Sequence, residues 1–146
     1  IIHAANRGEN VTLIYVNNSV YGMTGGQMAP TTLLGQQTTT SPYGRDFKTE
    51  GYPMKVSEML ATLEGVAYSA RVSLHSPKHI NQAKKAVRKA FEMQINEMGF
   101  SMVEMLSTCN TNWRVSPLEA LKVIENEMIP YYPLGVFKER TGKDFL

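Results

Sequence analysis

The feature that most constrains the fold is the loop NNSVYGMTGGQ at residues 17–27, which directly follows the apolar run VTLIYV at 11–16. That run is uncharged and rich in β-branched and aromatic residues, which predicts a buried strand of a parallel sheet. In open α/β sheets, ligands bind beyond the carboxyl ends of the strands. The glycines Gly22, Gly25 and Gly26 permit positive φ and the approach of backbone amides to an anion. We therefore expect a ligand site in this loop.

The rest of the chain predicts strands that alternate with helices. The predicted elements are a short helix over 1–7 ended by Gly8, a helix over 55–64 ended by Gly65, a strand over 66–74, a helix from Pro77 ended by Gly99, a strand over 100–106 and a helix that begins after Ser116. Residues 28–46 are rich in Thr and contain Pro30 and Pro42, which predicts a long loop that is either a functional or interface segment or a solvated connection. This rhythm predicts an α/β fold with a mostly parallel sheet flanked by helices.

Two of these segments carry patterns that the structure can test. An inward alternation on the strand over 66–74 is predicted for Val66, Tyr68, Ala70 and Val72. An apolar stripe on the long helix is predicted for Ile80, Ala83, Val87, Ala90, Phe91, Ile95 and Met98. The opposite face of that helix carries Lys84, Lys85, Arg88 and Lys89, and a solvated face is favoured there over nucleic-acid binding or docking of an acidic partner.

Composition narrows the class of protein. A net charge of +2 over 146 residues is too small to indicate nucleic-acid binding. The chain has no apolar run of the length needed to span a bilayer, so we expect no membrane partner. A single cysteine excludes an internal disulfide framework and favours a reducing, cytoplasmic location.

The string NNSVYGMTGGQMAPTT resembles the β subunit of 2-oxoacid:ferredoxin oxidoreductases, a family that binds thiamine diphosphate. Two later segments extend the resemblance over most of the chain. MVEMLSTCNTNW is similar to the family segment that binds an iron-sulfur cluster, and PLGVFK is similar to the family's C-terminal tail. Within this family, the chain resembles the branched-chain, 2-oxoisovalerate type. The family's GDG motif and its other cluster cysteines are absent, so we expect residues 1–146 to be the C-terminal part of a single thiamine diphosphate-binding domain, with an extended tail from about residue 130.

The resemblance implies a set of site residues. Asn18 would bind Mg²⁺ through its side-chain oxygen and Val20 through its main-chain oxygen, because this ion prefers oxygen ligands. Cys109 would be one of the four ligands of a 4Fe-4S cluster, with the other three outside this chain. The cofactor would contact Asn17, Asn18, Val20, Tyr21, Gly22, Thr24, Gly25, Gly26 and Gln27.

The same resemblance implies the activity. The enzyme would oxidatively decarboxylate a 2-oxoacid to an acyl-CoA and pass the electrons to ferredoxin, with α and γ or δ subunits of the complex as further partners. The glutamate that activates the cofactor would come from a partner subunit, and Glu104 would be a solvated or supporting group. Met23, an apolar and flexible residue, favours a branched-chain substrate such as 2-oxoisovalerate.

Other interpretations stay open at this point. The substrate can be 2-oxoglutarate or pyruvate in the same class of enzyme. A non-oxidative thiamine enzyme would share Asn17 and Asn18 but would not need Cys109. A non-catalytic interaction subunit would keep the fold without the site. A phosphate-binding loop of the P-loop type is disfavoured, because GMTGGQ lacks the Gly-Lys-Ser/Thr ending.

Overall fold

The computed structural model describes residues 1–142, which form a four-stranded sheet and a separate two-stranded hairpin with helices around them. The strands are β1 (Thr12–Asn17), β2 (Val20–Tyr21), β3 (Gln27–Met28), β4 (Val66–Ser73), β5 (Phe100–Leu106) and β6 (Gly135–Glu139). The helices are α1 (Ile2–Arg7), α2 (Phe47–Glu50), α3 (Val56–Ala61), α4 (Pro77–Ile95), α5 (Asn110–Trp113), α6 (Pro117–Val123) and α7 (Ile129–Tyr131), with a π-helical turn at Ile124–Met128.

The order of the strands brings two distant segments of the chain together. The larger sheet has the order β1-β5-β4-β6, in which β1 and β4 run parallel to the central β5 and β6 is antiparallel to β4. Leu106, the last residue of β5, lies opposite both Asn17 and Ser73. The segments that follow β1 and β5 therefore start side by side at one edge. The predicted α/β fold with a mostly parallel sheet is confirmed.

Helices cover both faces of the central strands, so β4 is buried along nearly its whole length. The predicted alternation on β4 is correct for Tyr68, Ala70 and Val72, which pack with α4. Val66 is also buried, as predicted, but on the opposite face, where it packs with Ala5 and the α3 side of the sheet. The register shifts between Val66 and Tyr68, and this irregularity changes the face to which the strand's side chains point.

α4 begins as predicted, with the Ser76 hydroxyl at its N-cap and Pro77 in its first turn. The predicted apolar stripe is wrong for its largest members, since Ile80, Phe91 and Ile95 are 38%, 47% and 79% exposed. The buried residues of α4 are Ala83, Ala86, Ala90 and Met93. Small alanines let a helix lie close to a sheet, so the contact face is centred on them and the larger side chains fall on its flank. None of the described helices, α4 included, is long and apolar enough to cross a membrane.

β1 is at an edge of the sheet, and this position limits its burial. It was predicted to be buried, yet Ile14 is 37% exposed and Val16 is 55% exposed. An edge strand has a hydrogen-bonded neighbour on one side only. The carboxyl end of β1 differs, because Asn17 is buried.

The helix after Ser116 is confirmed, with a capping box between Ser116 and Glu119. A π-helical turn connects α6 to α7. The turn is irregular because Pro130, in α7, has no N–H for a regular α-helical hydrogen bond. The tail then forms β6 beside β4, so part of the predicted extended tail belongs to the sheet itself.

The predicted loop after residue 28 has no long helix, and its backbone is organised by Arg45. The guanidinium of this buried residue donates to six carbonyl oxygens, those of Ala29, Pro30, Thr32, Glu50, Gly51 and Tyr52. Because one rigid cation binds both ends of the segment, the loop is folded on itself as a packed unit.

Candidate functional site

The glycine loop, residues 17–27, is a short hairpin at the carboxyl end of β1. β2 pairs with β3 through Val20 opposite Met28 and Tyr21 opposite Gln27. Between them Gly25 and Gly26 have φ of +119° and +79°, a region that L side chains rarely adopt. Their N–H groups donate to the carbonyl oxygens of Gly22 and Tyr21 respectively. These two amides therefore close the turn and are not free for an anion in this conformation.

Thr24 and Gln27 also fasten this turn. The Thr24 hydroxyl donates to Gln27 Oε1 at 2.6 Å, and Gln27 Nε2 donates to the Thr24 carbonyl at 2.8 Å. Tyr21 is 53% exposed, and Met23 is fully exposed at the tip. The predicted site residues of the loop thus divide into those that hold its shape and those that face outward.

Asn17 anchors the loop to the protein interior. Its side chain is buried, donates to Glu104 Oε1 at 2.7 Å and accepts from Ser19 N at 3.0 Å and Thr31 Oγ1 at 2.8 Å. All of these partners belong to the protein interior. The structure therefore places Asn17 as a support of the loop and not at its surface.

Asn18, the next residue, has the opposite environment. Its side chain is only partly buried, and its Oδ1 accepts one long hydrogen bond of 3.4 Å from Val20 N. Its backbone carbonyl accepts from Trp113 Nε1 at 3.2 Å. The Asn18 amide oxygen is thus available as an oxygen ligand, while the Asn18 backbone is held by Trp113.

The segment of Cys109 docks directly onto the glycine loop. Asn112 Nδ2 donates to the Gly22 carbonyl at 3.2 Å and to Cys109 Sγ at 3.1 Å. A Cβ built on Gly22 would lie 3.2 Å from Cys109 Sγ. Two sites that the sequence predicted separately, at residues 17–27 and at Cys109, are therefore one continuous site. Cys109 itself is a half-buried free thiol.

Glu104 is the centre of a buried polar network under this site. Its side chain has no exposed surface, and its Oε2 accepts from Ser57 Oγ at 2.6 Å and from Arg71 Nε at 2.9 Å. Of the two alternatives predicted for Glu104, a solvated group is wrong, because β5 is a central strand and both of its faces are covered. Its hydrogen bond with Asn17 fits the other alternative, a supporting group. Arg71 is equally buried and also binds Glu58.

Burial and the ion pair shift the protonation of the groups around Arg71. Burial alone would raise the pKa of Glu58, but its hydrogen bond to Arg71 lowers that pKa below the ordinary value. Burial raises the pKa of Tyr132, whose hydroxyl donates to the Thr31 carbonyl at 2.8 Å. These shifts favour an ionised carboxylate at Glu58 and a neutral hydroxyl at Tyr132, where the network meets the long loop.

Comparison with known proteins identifies the family of this chain. The model of one protein family, described as thiamine pyrophosphate enzyme, C-terminal TPP binding domain, matches residues 1–105. The chain belongs to this family. The glycine loop lies inside the matched part of this TPP-binding domain, and Cys109 lies four residues beyond it.

Relatives of this TPP-binding domain agree with the match. Ketoisovalerate oxidoreductase subunit VorA of Methanothermobacter marburgensis is 46% identical over 97% of the chain and 30% of that protein. 2-oxoglutarate synthase subunit KorB of Archaeoglobus fulgidus is 36% identical over 99% of the chain and 53% of that protein. The chain therefore spans about a third to a half of the length of these relatives.

The fold of the TPP-binding domain also occurs in a solved structure of an oxidoreductase. A 2-oxoglutarate:ferredoxin oxidoreductase from Magnetococcus marinus matches 97% of this chain and 51% of its own, with a TM-score of 0.61. The two sequences are 22% identical, so this likeness shows the shared fold.

Sequence reasoning missed three residues of this site in the TPP-binding domain: Asn112, Trp113 and Thr31. The first two lie in the quoted string TCNTNW, but their partners are 90 and 95 residues away. Only the proximity of Asn112 to Cys109 was a usable signal. Thr31 lies in a loop whose composition indicates nothing about its contact with Asn17.

Proposed function

We propose that this chain is the C-terminal part of the thiamine diphosphate-binding β subunit of a 2-oxoacid:ferredoxin oxidoreductase. The complete enzyme oxidatively decarboxylates a branched-chain 2-oxoacid such as 2-oxoisovalerate to an acyl-CoA and passes the electrons to ferredoxin. In this proposal residues 1–146 are part of a single domain with a tail from about residue 130, and the GDG aspartate and three further cysteines precede it. Partner α and γ or δ subunits complete the complex, and the single cysteine of this chain supports a reducing, cytoplasmic location.

The observation that carries the proposal is the docking of the Cys109 segment on the glycine loop. An oxidative thiamine enzyme needs an electron acceptor close to its cofactor, whereas a decarboxylase or carboligase does not. Asn112 and Trp113 bond the two segments together through the Gly22 and Asn18 carbonyls. The only cysteine of the chain therefore lies against the loop of the TPP-binding domain.

Asn18 and Val20 are the proposed ligands of Mg²⁺. Asn18 is partly buried and its Oδ1 accepts only one long hydrogen bond, which fits the preference of this ion for oxygen ligands in nearly octahedral geometry. The buried amide of Asn17 keeps the loop in place beneath it. When bound, thiamine diphosphate supplies the nucleophilic carbon and the electron sink of the reaction.

Cys109 is the proposed ligand of a 4Fe-4S cluster, for which a thiolate is the usual ligand. The thiol is free and half-buried, and it already accepts an N–H from Asn112. Metal-bound sulfur commonly accepts such hydrogen bonds. The residues present thus fit the group, with one of the four thiolates in this chain.

Met23 is the proposed residue of substrate choice. Its side chain is fully exposed at the tip of the loop, where it can line a pocket completed by other parts of the protein. It is apolar and offers no partner to a second carboxylate. The identity with VorA, whose name gives ketoisovalerate, supports a branched-chain substrate over 2-oxoglutarate or pyruvate.

The substrate proposal is tested by kcat/KM of the full-length complex for 2-oxoisovalerate and 2-oxoglutarate. We expect kcat/KM to be higher for 2-oxoisovalerate than for 2-oxoglutarate. Met23→Arg should raise the relative kcat/KM for 2-oxoglutarate by about tenfold, the effect of one hydrogen-bonded charge pair, while Met23→Leu should leave the ratio unchanged. A wild-type preference for 2-oxoglutarate would contradict the branched-chain choice.

The cofactor proposal is tested by calorimetric titration of thiamine diphosphate and Mg²⁺ into the same complex. Asn18→Ala should lose most of the binding heat, and Asn81→Ala, on the exposed side of α4, should retain it. No heat with the wild type would favour a non-catalytic interaction subunit. Binding heat from a purified complex that contains no iron would favour a non-oxidative thiamine enzyme.

A further inference from the structure

Asn112 joins the two halves of the site through a single nitrogen atom. Its Nδ2 carries two hydrogens and has two acceptors, the Gly22 carbonyl at 3.2 Å and Cys109 Sγ at 3.1 Å. With the amide turned over, Oδ1 would face the Gly22 carbonyl oxygen, and two acceptors would oppose each other. The hydrogen-bond network thus fixes an N–H toward the sulfur.

The neighbouring glycines leave the space that this amide needs. A Cβ on Gly26 would lie 2.6 Å from Asn112 Oδ1, and a Cβ on Gly22 would lie 3.4 Å from Asn112 Nδ2. The first distance is too short for any real contact. The glycine at position 26 is therefore required by Asn112 as well as by its positive φ.

We propose that Asn112 is a positioning residue that raises the reduction potential of the iron-sulfur cluster by donating an N–H to the Cys109 sulfur. This inference rests on the proposed function, because it assumes a cluster at Cys109. Reduction adds negative charge to a cluster, and a hydrogen bond to a ligand sulfur stabilises the more negative state. The group that tunes the potential thus belongs to this chain.

The same nitrogen links the potential to the glycine loop. Because Asn112 Nδ2 also binds the Gly22 carbonyl, a displacement of the loop moves the N–H relative to the sulfur. We expect binding of thiamine diphosphate to displace the loop and thereby to change the midpoint potential of the cluster. Removal of the Asn112 amide abolishes this response.

The test is a redox titration of the full-length complex followed by electron paramagnetic resonance, with and without thiamine diphosphate. Asn112→Leu removes the donor at similar size, and Asn110→Leu on the same short helix is the matched control. We expect Asn112→Leu to make reduction about tenfold less favourable, which is about 59 mV for one electron. Asn110→Leu should keep the wild-type potential and its response to the cofactor.

A second variant reaches the same hydrogen bond without changing residue 112. Gly26→Ala places its Cβ against Asn112 Oδ1 and should displace the amide, so its cluster should show a shift in the same direction. If the variants at 112 and 26 both keep the wild-type potential, or if both lose the cluster, the tuning role is refuted. The proposed function fails separately, if the wild type contains no cluster or if Cys109→Ser leaves the cluster intact.

Discussion

Replacement of Glu104 by Gln tests whether the buried network supports the glycine loop. In the wild type, Glu104 Oε2 accepts from two donors, Ser57 Oγ and Arg71 Nε, while Oε1 accepts from Asn17 Nδ2 at 2.7 Å. A glutamine has only one oxygen, and the two donors at Oε2 select its position. Its NH₂ group then faces the Asn17 NH₂ group, so donor opposes donor.

The network cannot relax around this change. Asn17 cannot turn its amide over, because its Oδ1 accepts from Ser19 N and Thr31 Oγ1. Arg71, which has no exposed side-chain surface, loses the charge of its fully buried partner. Breaking a buried ion pair from one side costs about 3–5 kcal/mol. A buried donor without a partner accounts for about 1–3 kcal/mol of this cost. We therefore expect Glu104→Gln to lower the free energy of unfolding by about 3–5 kcal/mol.

Glu58→Gln is the matched control, since it removes the other carboxylate from the same arginine. The Glu58 side chain is 30% exposed, and Arg71 keeps Glu104, so we expect a loss of about 1 kcal/mol. The assay is urea unfolding of the full-length subunit by circular dichroism, together with the Kd for thiamine diphosphate. Glu104→Gln should weaken cofactor binding as well as stability, because Asn17 is displaced. An equal loss of stability in the two variants would refute the reasoning.

Two further predictions concern pH and backbone packing. The pKa of Glu58 is lowered in the folded state, so its contribution to stability is present above the ordinary pKa of 4.5 and is lost as the pH falls through the lowered value. The difference in unfolding free energy between wild type and Glu58→Gln should therefore be constant at neutral pH and disappear in acid, and a difference that grows on acidification would contradict the assignment. Gly65→Ala should destabilise the protein by about 1–3 kcal/mol in urea unfolding, because its Cβ would lie 2.3 Å from the Ala5 carbonyl oxygen. Gly35 has φ of +74°, and a Cβ there would have no atom within 4 Å, so Gly35→Ala should cost only the backbone strain of about 1 kcal/mol. If Gly35→Ala costs as much as Gly65→Ala or more, packing is not the cause.

Local signals predicted several elements correctly, because each signal depends on residues only a few positions apart. Gly8 ends α1 with φ of +67°, as its position after Arg7 predicted. The capping box of Ser116 and Glu119 formed as its spacing predicted. The strand over 100–106 coincides with β5. Gly65 is an instructive exception, because it was predicted to end a helix and is instead required for close contact with Ala5 and Gly8.

Hydrophobic periodicity was less reliable for burial, because it cannot distinguish which apolar residues meet a neighbour. On α4 the sheet contacts the alanines, and the larger Phe91 and Ile95 remain exposed. On β5 the charged Glu104 is fully buried, because its charge is matched by Arg71 from the adjacent β4. A sequence pattern contains neither the partner helix nor the partner strand.

The sequence by itself determined the family, the glycine loop and the alternation of the main strands and helices along the chain, since these follow from a specific string and from interactions between near neighbours. Only the tertiary structure decided that the loop and Cys109 form one site, that Asn17 faces the interior while Asn18 faces outward, and that Asn112 binds both segments. The physical reason is that these contacts join residues about 90 positions apart. They exist because β1 lies beside β5 in a parallel register, and this register is a property of the whole sheet.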